Sequence, residues 1–310
     1  MKHIGPLVLL IGLLTADSWG HGQETYTIKL KTPAKGEVVR VTKTSTTTTE
    51  RKGYSVGEGD YVEEKSVVER TFVYTETVFE RDANNRPTRL RRQYEEAQQK
   101  TSSEETGKPS IVDKAETLAF DGKTVMIEKR GERYRFQLEG GAELPADKAE
   151  PLDREFSSGW TDGDKLVLPG KPVKVSETWN VDTYAAEVAK SVKKDIFSLD
   201  VAKASGTCKL VKAYKKDGRQ FGTMELQMEL PLKSLQLGTG RPLDLQAGAR
   251  FAVNSSMDRC IDGSADEGTE TAMTQFNASG STAFPKGGKL KMALSVSVST
   301  QETNKEVGKK

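Results

Sequence analysis

The chain has 310 residues, of which 35% are hydrophobic and 30% are charged, and its 28 glycines bring the apolar content close to that of ordinary globular proteins. The 47 lysines and arginines and the 45 aspartates and glutamates leave a net charge of +2. This balance argues against a nucleic-acid-binding protein and against steering towards anionic membranes, because both need an excess of basic residues. The length fits one large β domain or two smaller ones.

The N-terminus predicts an export signal. Residues 1–3 form a short basic segment, and residues 4–14 are mostly apolar. Ser18 and Gly20 supply the small residues of a cleavage site after Gly20. These three parts are the pattern of a secretory signal peptide, and the apolar run is too short to span a bilayer. We therefore expect a secreted or periplasmic protein whose mature chain has no transmembrane segment.

Alternation of apolar and polar residues with a period of two dominates the rest of the chain, and it predicts antiparallel strands with one buried face. The clearest examples are residues 133–138, 224–230 and 290–298. The Asp-Gly pair at 121–122 is typical of a tight hairpin turn between such strands. Residues 89–100 are compatible with a helix or a strand, and the turn just before them favours a strand.

One helix is predicted over residues 183–192, with Asp182 as its N-cap and with Tyr184 and Val188 on one face. Residues 144–172 contain four prolines and several glycines, and they are predicted to form a connector with one short helical turn. The predicted fold class is therefore mainly β, with a large curved antiparallel sheet and about one helix. A sheet with this many strands must curl into a half-barrel or split into two packed layers, because twisted strands do not form a large flat sheet.

The chain divides into five predicted parts. They are a signal peptide (1–20), an N-terminal β half (21–143), the connector (144–172), a C-terminal β half (173–302) and a disordered tail (303–310). Both halves contain a long hairpin and end in a strongly alternating strand. A duplication would explain this similarity, but any β meander looks self-similar, and both explanations stay open.

The two cysteines, Cys208 and Cys260, predict a structural disulfide. Two cysteines in an oxidising compartment usually pair. Closing the loop from Cys208 to Cys260 with a disulfide stabilises the folded chain by about 4 kcal/mol in the chain-entropy model. Their spacing matches no zinc or haem motif. Two free, buried thiols are the alternative.

The histidine content excludes many hydrolytic mechanisms. His3 lies in the predicted signal and His21 would become the new N-terminus, so no histidine remains inside the fold for a catalytic triad or a His-built zinc site. An N-terminal histidine resembles the copper site of lytic polysaccharide monooxygenases, but the second histidine of that site is missing. The sequence therefore predicts no catalytic, cofactor-binding or metal-ligating residue.

Two tryptophans are weak candidates for ligand contacts. Trp160 lies near Glu155 and near Asp162 and Asp164, and a glycosidase uses two carboxylates beside a sugar-stacking ring. An exposed turn beside a core tryptophan produces the same pattern. Trp179 follows an alternating stretch and is more typical of a core residue than of a ligand platform.

Three further features leave alternatives open. The acidic loop from Asp262 to Gly268 suggests either calcium binding or a solvated hairpin tip, since the ligand spacing of an EF-hand is absent. The arginines within residues 86–92 form a basic patch, which could be an anion site or one face of a charge-balanced strand. The acidic residues Glu95 and Glu96 follow closely and favour the charge-balanced face. Several methionines indicate either core filling or an adaptable apolar surface for a ligand; they are Met224, Met228, Met257, Met273 and Met292.

The export signal, the long alternating strands and residues 171–179 resemble uncharacterised secreted bacterial β-rich proteins, and this resemblance implies no catalytic residues. A distant architectural likeness to the half-barrels of periplasmic lipoprotein carriers fixes no function. The favoured hypothesis is a non-enzymatic extracytoplasmic protein that binds a lipid or another hydrophobic ligand in a curved sheet. The alternatives are a structural or protein-interaction component of the cell envelope, and a carboxylate-based enzyme that acts on glycans.

Overall fold

The computed structural model describes residues 24–56, 61–83, 85–106, 111–131, 133–157, 166–191, 197–236, 242–283 and 289–307. The predicted signal peptide, His21, Trp160, Asp162 and Asp164 lie outside the described residues.

Antiparallel strands make up most of the described chain, and several are far longer than the roughly 3–10 residues of an ordinary strand. The strands in chain order are β1 (Thr25–Tyr26), β2 (Val38–Val56), β3 (Tyr61–Arg81), β4 (Pro87–Glu105), β5 (Ile111–Thr117), β6 (Thr124–Arg130), β7 (Arg133–Leu138), β8 (Val173–Lys174), β9 (Thr178–Asn180), β10 (Phe197–Leu199), β11 (Ser205–Lys216), β12 (Arg219–Leu235), β13 (Asp244–Leu245), β14 (Arg250–Cys260), β15 (Gly268–Ala283) and β16 (Lys289–Glu306).

Fourteen of these strands form one open antiparallel sheet, and β1 and β8 form a separate pair. The main path of the large sheet runs β7-β6-β4-β3-β2-β16-β15-β14-β12-β11-β9, while β5, β10 and β13 pair with β4, β12 and β15. The pairing of β2 with β16 joins the first long strand to the last, so the two predicted halves share one sheet. The predicted fold class, mainly β with a large antiparallel sheet, is confirmed.

The described residues contain two α-helices. The predicted helix is present as α2 (Asp182–Ser191). The connector contains α1 (Ala146–Ser157), which is much longer than the single turn predicted there. Sequence reasoning treated the prolines as helix breakers, but Pro145 precedes α1 and the helix tolerates Pro151. Neither helix has the length and apolar character needed to cross a membrane.

Two boundary predictions have clear outcomes. Residues 89–100 are extended within β4, as the preceding turn indicated. The predicted disordered tail is wrong for residues 303–306, because they continue β16; Thr303 pairs with Thr42 and Glu306 pairs with Val39. Hydrogen bonding to β2 therefore orders this segment.

The predicted disulfide is wrong, because Cys208 and Cys260 are both free and buried. Cys208 on β11 lies opposite Leu226 of β12, whereas Cys260 on β14 lies opposite Phe221 of β12. Two strand spacings and a five-residue offset place the two Cα atoms about 19 Å apart. A disulfide spans less than about 7 Å between Cα atoms.

Two hydrophobic cores lie on the same face of the sheet. The N-terminal core packs β2, β3, β4 and β6 against α1, and its members include Phe72, Tyr94 and Leu152. The C-terminal core packs β11, β12 and β14 against α2, and its members include Met224 and Ala185. Each core is therefore covered by its own helix.

The strip between the two cores is charged. One row of paired residues crosses the sheet from β4 to β11 and comprises Ala97, Phe72, Lys43, Glu302, Glu270, Met257, Met224 and Leu210. Both ends of this row are apolar, and its middle consists of Lys43, Glu302 and Glu270. The central strands β2, β16 and β15 thus separate the two cores with polar side chains.

Candidate functional site

A cavity of about 360 Å³ lies over this charged strip, and we call it the central cavity. Its boundaries include Val41, Arg92, Glu155, Tyr184 and Arg259. Arg92 on β4 and Arg259 on β14 belong to strands that would be about 24 Å apart in a flat sheet. Because both residues line one cavity, the sheet curves around it, and the volume falls in the lower range of ligand-binding pockets.

Arg92 is the best-buried charged side chain on the cavity wall, with 2% of its surface exposed. Its Nε donates to Glu76 Oε2 at 2.8 Å, and its Nη1 and Nη2 donate to Glu155 Oε2 and Oε1 at 3.0 and 3.2 Å. The guanidinium also lies over the rings of Tyr74 and Phe156, at 4.3 and 4.8 Å from their centroids. Two carboxylates and two aromatic faces therefore compensate one buried cation.

Glu155 ties α1 to the sheet. Its side chain is 20% exposed and also contacts Lys43 of β2, with 3.4 Å between Nζ and Oε1. Burial alone would raise the pKa of Glu155, but the charges of Arg92 and Lys43 outweigh burial and lower this pKa to about 2. Burial raises the pKa of the neighbouring Tyr94 to about 12, so its hydroxyl stays protonated.

The lowered pKa of Glu155 argues against a general-acid role for this predicted candidate. A glycosidase needs one carboxyl group with a raised pKa as its general acid, and the pKa of Glu155 moves in the opposite direction. The bidentate contact with Arg92 also occupies both of its oxygens. Glu155 therefore acts as a structural anchor.

A second ionic group lines the opposite wall. Arg259 Nη2 donates to Asp266 Oδ1 at 2.6 Å, and the backbone nitrogen of Asp266 donates to Glu306 Oε1 at 2.8 Å. Glu306 pairs with Lys31, which also pairs with Glu37, both at 2.5 Å. This wall joins β14, the loop before β15 and β16 to the segment before β2.

The acidic loop at 262–268 is only partly solvated, because Asp262 is exposed whereas Asp266 is only 6% exposed. Asp262 accepts hydrogen bonds from the backbone nitrogens of Gln220 and Ser264, and these bonds hold its pKa well below the usual range. Glu267 pairs with Lys216 and Arg219. Each acid therefore has a protein partner, and the described residues contain no group of three or more potential metal ligands.

The predicted ligand residues lie elsewhere. Trp179 is 9% exposed, its Nε1 donates to the carbonyl oxygen of Val167 at 2.7 Å, and it belongs to the C-terminal core. Met224, Met228 and Met257 also fill that core, whereas 43% of the surface of Met273 is exposed. None of these residues lines the described part of the central cavity.

The apolar part of the cavity wall comes from valines instead. Val39 and Val41 on β2 and Val78 on β3 face the cavity, together with the ring of Tyr74. Sequence reasoning missed these residues, and it included Arg92 only in the basic patch without predicting its burial. One signal was present, because Arg92 occupies the inward position between Leu90 and Tyr94 in an alternating strand, where a charge must be paired.

Two arginines at one end of the cavity form no ion pair with a carboxylate in the part of the chain that the structure describes. Arg81 and Arg86 both line the central cavity, and the Nε atom of each is buried without a hydrogen-bond acceptor among the described residues. Within residues 86–92, Arg89 pairs with Glu80, and Arg91 lies over the Phe79 ring. The basic patch therefore does not act as one charge-balanced face.

Comparison with known proteins does not show the family of this chain. No protein-family model matches it, and no curated protein matches it. A structure of lipovitellin, described for its lipid–protein interactions, aligns with 89% of this chain at 10% identity and a TM-score of 0.35, and this chain covers 25% of the lipovitellin chain. The toluene transporter TodX of P. putida aligns with 89% of this chain and 92% of its own length, at 7% identity and a TM-score of 0.25.

A FadL homologue of Pseudomonas aeruginosa aligns with 87% of this chain and 90% of its own length, at 8% identity and a TM-score of 0.18. The present chain thus spans a quarter of the lipovitellin chain and nearly the whole length of the two Pseudomonas proteins. TM-scores this low carry no argument about function.

Proposed function

We propose that this protein is a non-enzymatic extracytoplasmic binding protein that holds a small amphiphilic ligand in the central cavity. The observation that carries the proposal is one partly open cavity whose wall combines buried valines with fixed charges. Ligand sites in proteins are mostly apolar, with a few polar groups that orient the ligand. A purely hydrophobic lipid fits this wall less well than a molecule with one polar end.

The wall is held in place before any ligand arrives. Arg92 and Glu155 fix α1 against β4, and Arg259 and Asp266 fix the opposite side. The two cores flank the cavity and anchor both groups of strands. A preformed cavity of this kind binds with little reorganisation, since the cost of ordering its side chains is met during folding.

A pair of substitutions on neighbouring residues of β2 tests the cavity. Val41 faces the cavity, and the next residue, Thr42, lies on the other face of the strand. Val41→Trp would fill the space, whereas Thr42→Trp adds the same side chain outside it. We expect decanol, measured by displacement of a fluorescent fatty-acid probe, to bind the wild type and T42W but not V41W.

Thermal unfolding of both variants accompanies this experiment, since an overpacked V41W could lose binding through misfolding. A folded V41W that binds decanol as tightly as the wild type would overturn the proposal. So would a wild-type protein that binds neither decanol nor the probe.

The extracytoplasmic location rests on the sequence pattern of residues 1–20. Cell fractionation followed by intact-mass measurement tests it directly. We expect the processed chain, starting at His21, outside the cytoplasm. A cytosolic protein that retains Met1 to Gly20 would contradict this part of the proposal.

A protein-interaction role in the cell envelope is the second candidate, and the far ends of the long strands favour it. Residues 45–53, 62–70 and 291–300 contain no buried side chain, although they are central strands of the sheet. Both faces of this region are thus open to a partner. Cross-linking in intact cells through Lys52 and Lys65 tests this role; recovery of only self-linked or unlinked protein would count against it.

A further inference from the structure

We propose that Arg81 and Arg86 form an oxyanion-binding end of the central cavity, so that the ligand is an aliphatic chain ending in a carboxylate. This inference rests on the proposed function and specifies its ligand class.

The other cations on the described cavity wall already have carboxylate partners. Lys31 pairs with Glu37, and Lys43 pairs with Glu155. Arg92 and Arg259 pair with acids as described above. Arg81 and Arg86, at the hairpin end, form no side-chain ion pair with a carboxylate among the described residues.

The hydrogen bonding of the hairpin sharpens this point. Arg81 Nη1 donates to the carbonyl oxygen of Asn85 at 2.9 Å, which fixes the side chain but leaves its charge unpaired. The hairpin acid Asp82 accepts a hydrogen bond at Oδ1 from the backbone nitrogen of Arg86, also at 2.9 Å. Both Nε–H groups lack an acceptor among the described residues, and a buried unsatisfied donor is costly.

The backbone explains why Arg81 reaches the cavity. Tyr74 and Val78 are separated by an even number of residues and face the cavity together, so Arg81 would point to the opposite face in a regular strand. The pairing register shifts between Val78 and Glu80 and again between Glu80 and Arg81. Such a bulge re-aims the following side chain, and here it turns Arg81 inward.

The cavity is long in the direction of the strands. Tyr74 and Arg81 both line it, and seven residues of β3 separate their Cα atoms by about 23 Å. Val78 lies between them, with Val39 and Val41 on the neighbouring strand β2. A chain-like ligand can therefore lay its aliphatic part along the valines while its head group reaches the two arginines.

A carboxylate is the head group that this end fits. Guanidinium groups bind carboxylates through paired, charge-assisted N–H···O contacts, which are stronger than neutral hydrogen bonds. A carboxylate would accept from the guanidinium groups of Arg81 and Arg86 and supply a negative charge beside them. A cationic head group would meet two like charges at the same place.

The test compares three ligands with the same aliphatic chain. Decanoate, decanol and decyltrimethylammonium are titrated into the full-length protein, its R81Q/R86Q variant and its R89Q variant. Arg89 is an exposed arginine of the same hairpin that pairs with Glu80, so R89Q removes a charge outside the cavity. Unfolding curves and decanol binding report whether each variant keeps its fold.

We expect the wild type and R89Q to bind decanoate at least about tenfold more tightly than decanol, and decyltrimethylammonium most weakly. R81Q/R86Q should lose this preference while it still binds decanol. Equal binding of decanoate and decanol by the wild type, or an intact preference in R81Q/R86Q, would overturn the oxyanion site and leave the proposed function standing. Failure of the wild type to bind any of the three would overturn both.

Discussion

The guanidinium of Arg92 on β4 and the carboxylate of Glu155 on α1 form a buried, bidentate ion pair across 63 positions of sequence. This pair fastens α1 of the connector to the sheet beside the central cavity. Lys43 joins it from β2, so three separate elements meet at one carboxylate. The cavity wall therefore depends on charges that the protein itself compensates.

Removal of the Glu155 carboxylate should destabilise the protein strongly. Glu155→Ala leaves the buried Arg92 and Lys43 short of a counter-charge, and breaking one side of a buried ion pair typically costs about 3–5 kcal/mol. Glu150→Ala on the same helix is the control, because the ion pair of Glu150 with Arg154 is exposed and contributes about 0.5 kcal/mol or less. Urea unfolding of both variants measures the difference, and equal stability of the two would contradict the assigned role of Glu155.

The same pair predicts an acid dependence of stability. The pKa of Glu155 is about 2 in the folded protein and ordinarily 4.5, so its ionised form favours folding. Its contribution, about 3 kcal/mol, is fully present above pH 4.5 and is lost as the pH falls towards 2.

The matched variant for this prediction is Glu155→Gln, which cannot titrate at this position. The difference in unfolding free energy between the wild type and E155Q should be largest near neutral pH and should shrink through the window from 4.5 to 2. A difference that stays constant with pH would show that Glu155 has an ordinary pKa in the folded protein.

Both cysteines should remain thiols. Cys208 and Cys260 are buried and lie too far apart to pair, and burial raises the pKa of Cys208 to about 12. We expect no reaction with a thiol reagent in the folded protein and two equivalents after unfolding without reductant. An intact mass with no free thiol, or loss of stability on adding reductant alone, would show that a disulfide forms.

Two glycines within strands should respond oppositely to substitution. A Cβ atom at Gly280 of β15 would lie 2.4 Å from the carbonyl oxygen of Asp244 and 2.8 Å from Cγ of Leu243, so Gly280→Ala should cost about 1–3 kcal/mol. A Cβ atom at Gly53 of β2 meets nothing within 4 Å, and Gly53→Ala should be neutral or stabilise by up to about 1 kcal/mol. Denaturant midpoints compare them; a neutral G280A would show that β13 does not pack closely on β15.

The fold class could be predicted because period-two alternation is a local signal. Residues 224–230 and 133–138 alternate throughout, and each lies in a strand. The helix α2 also follows from local spacing and the cap at Asp182. The length of α1 was underestimated because the prolines of this segment indicated a loop. Leu152 and Phe156 on the buried face of α1 belong to the N-terminal core.

The candidate site could not be predicted, since it depends on contacts between distant segments. Arg92 is read locally as one of several arginines beside acids, and only the fold brings Glu155 to it. The disulfide prediction failed for a related reason, because the compartment suggests pairing but the register of β11, β12 and β14 decides the distance. Residue types were visible in advance, and their partners were not.

Native mass spectrometry of the full-length protein, purified from cells that produce it, tests the central claim most directly. We expect a mass above that of the polypeptide, released on denaturation as a small amphiphilic molecule, and no such excess mass in V41W. The claim of a ligand-binding cavity would be contradicted if the wild-type protein is detected only at its polypeptide mass and binds neither decanoate nor decanol when these are added.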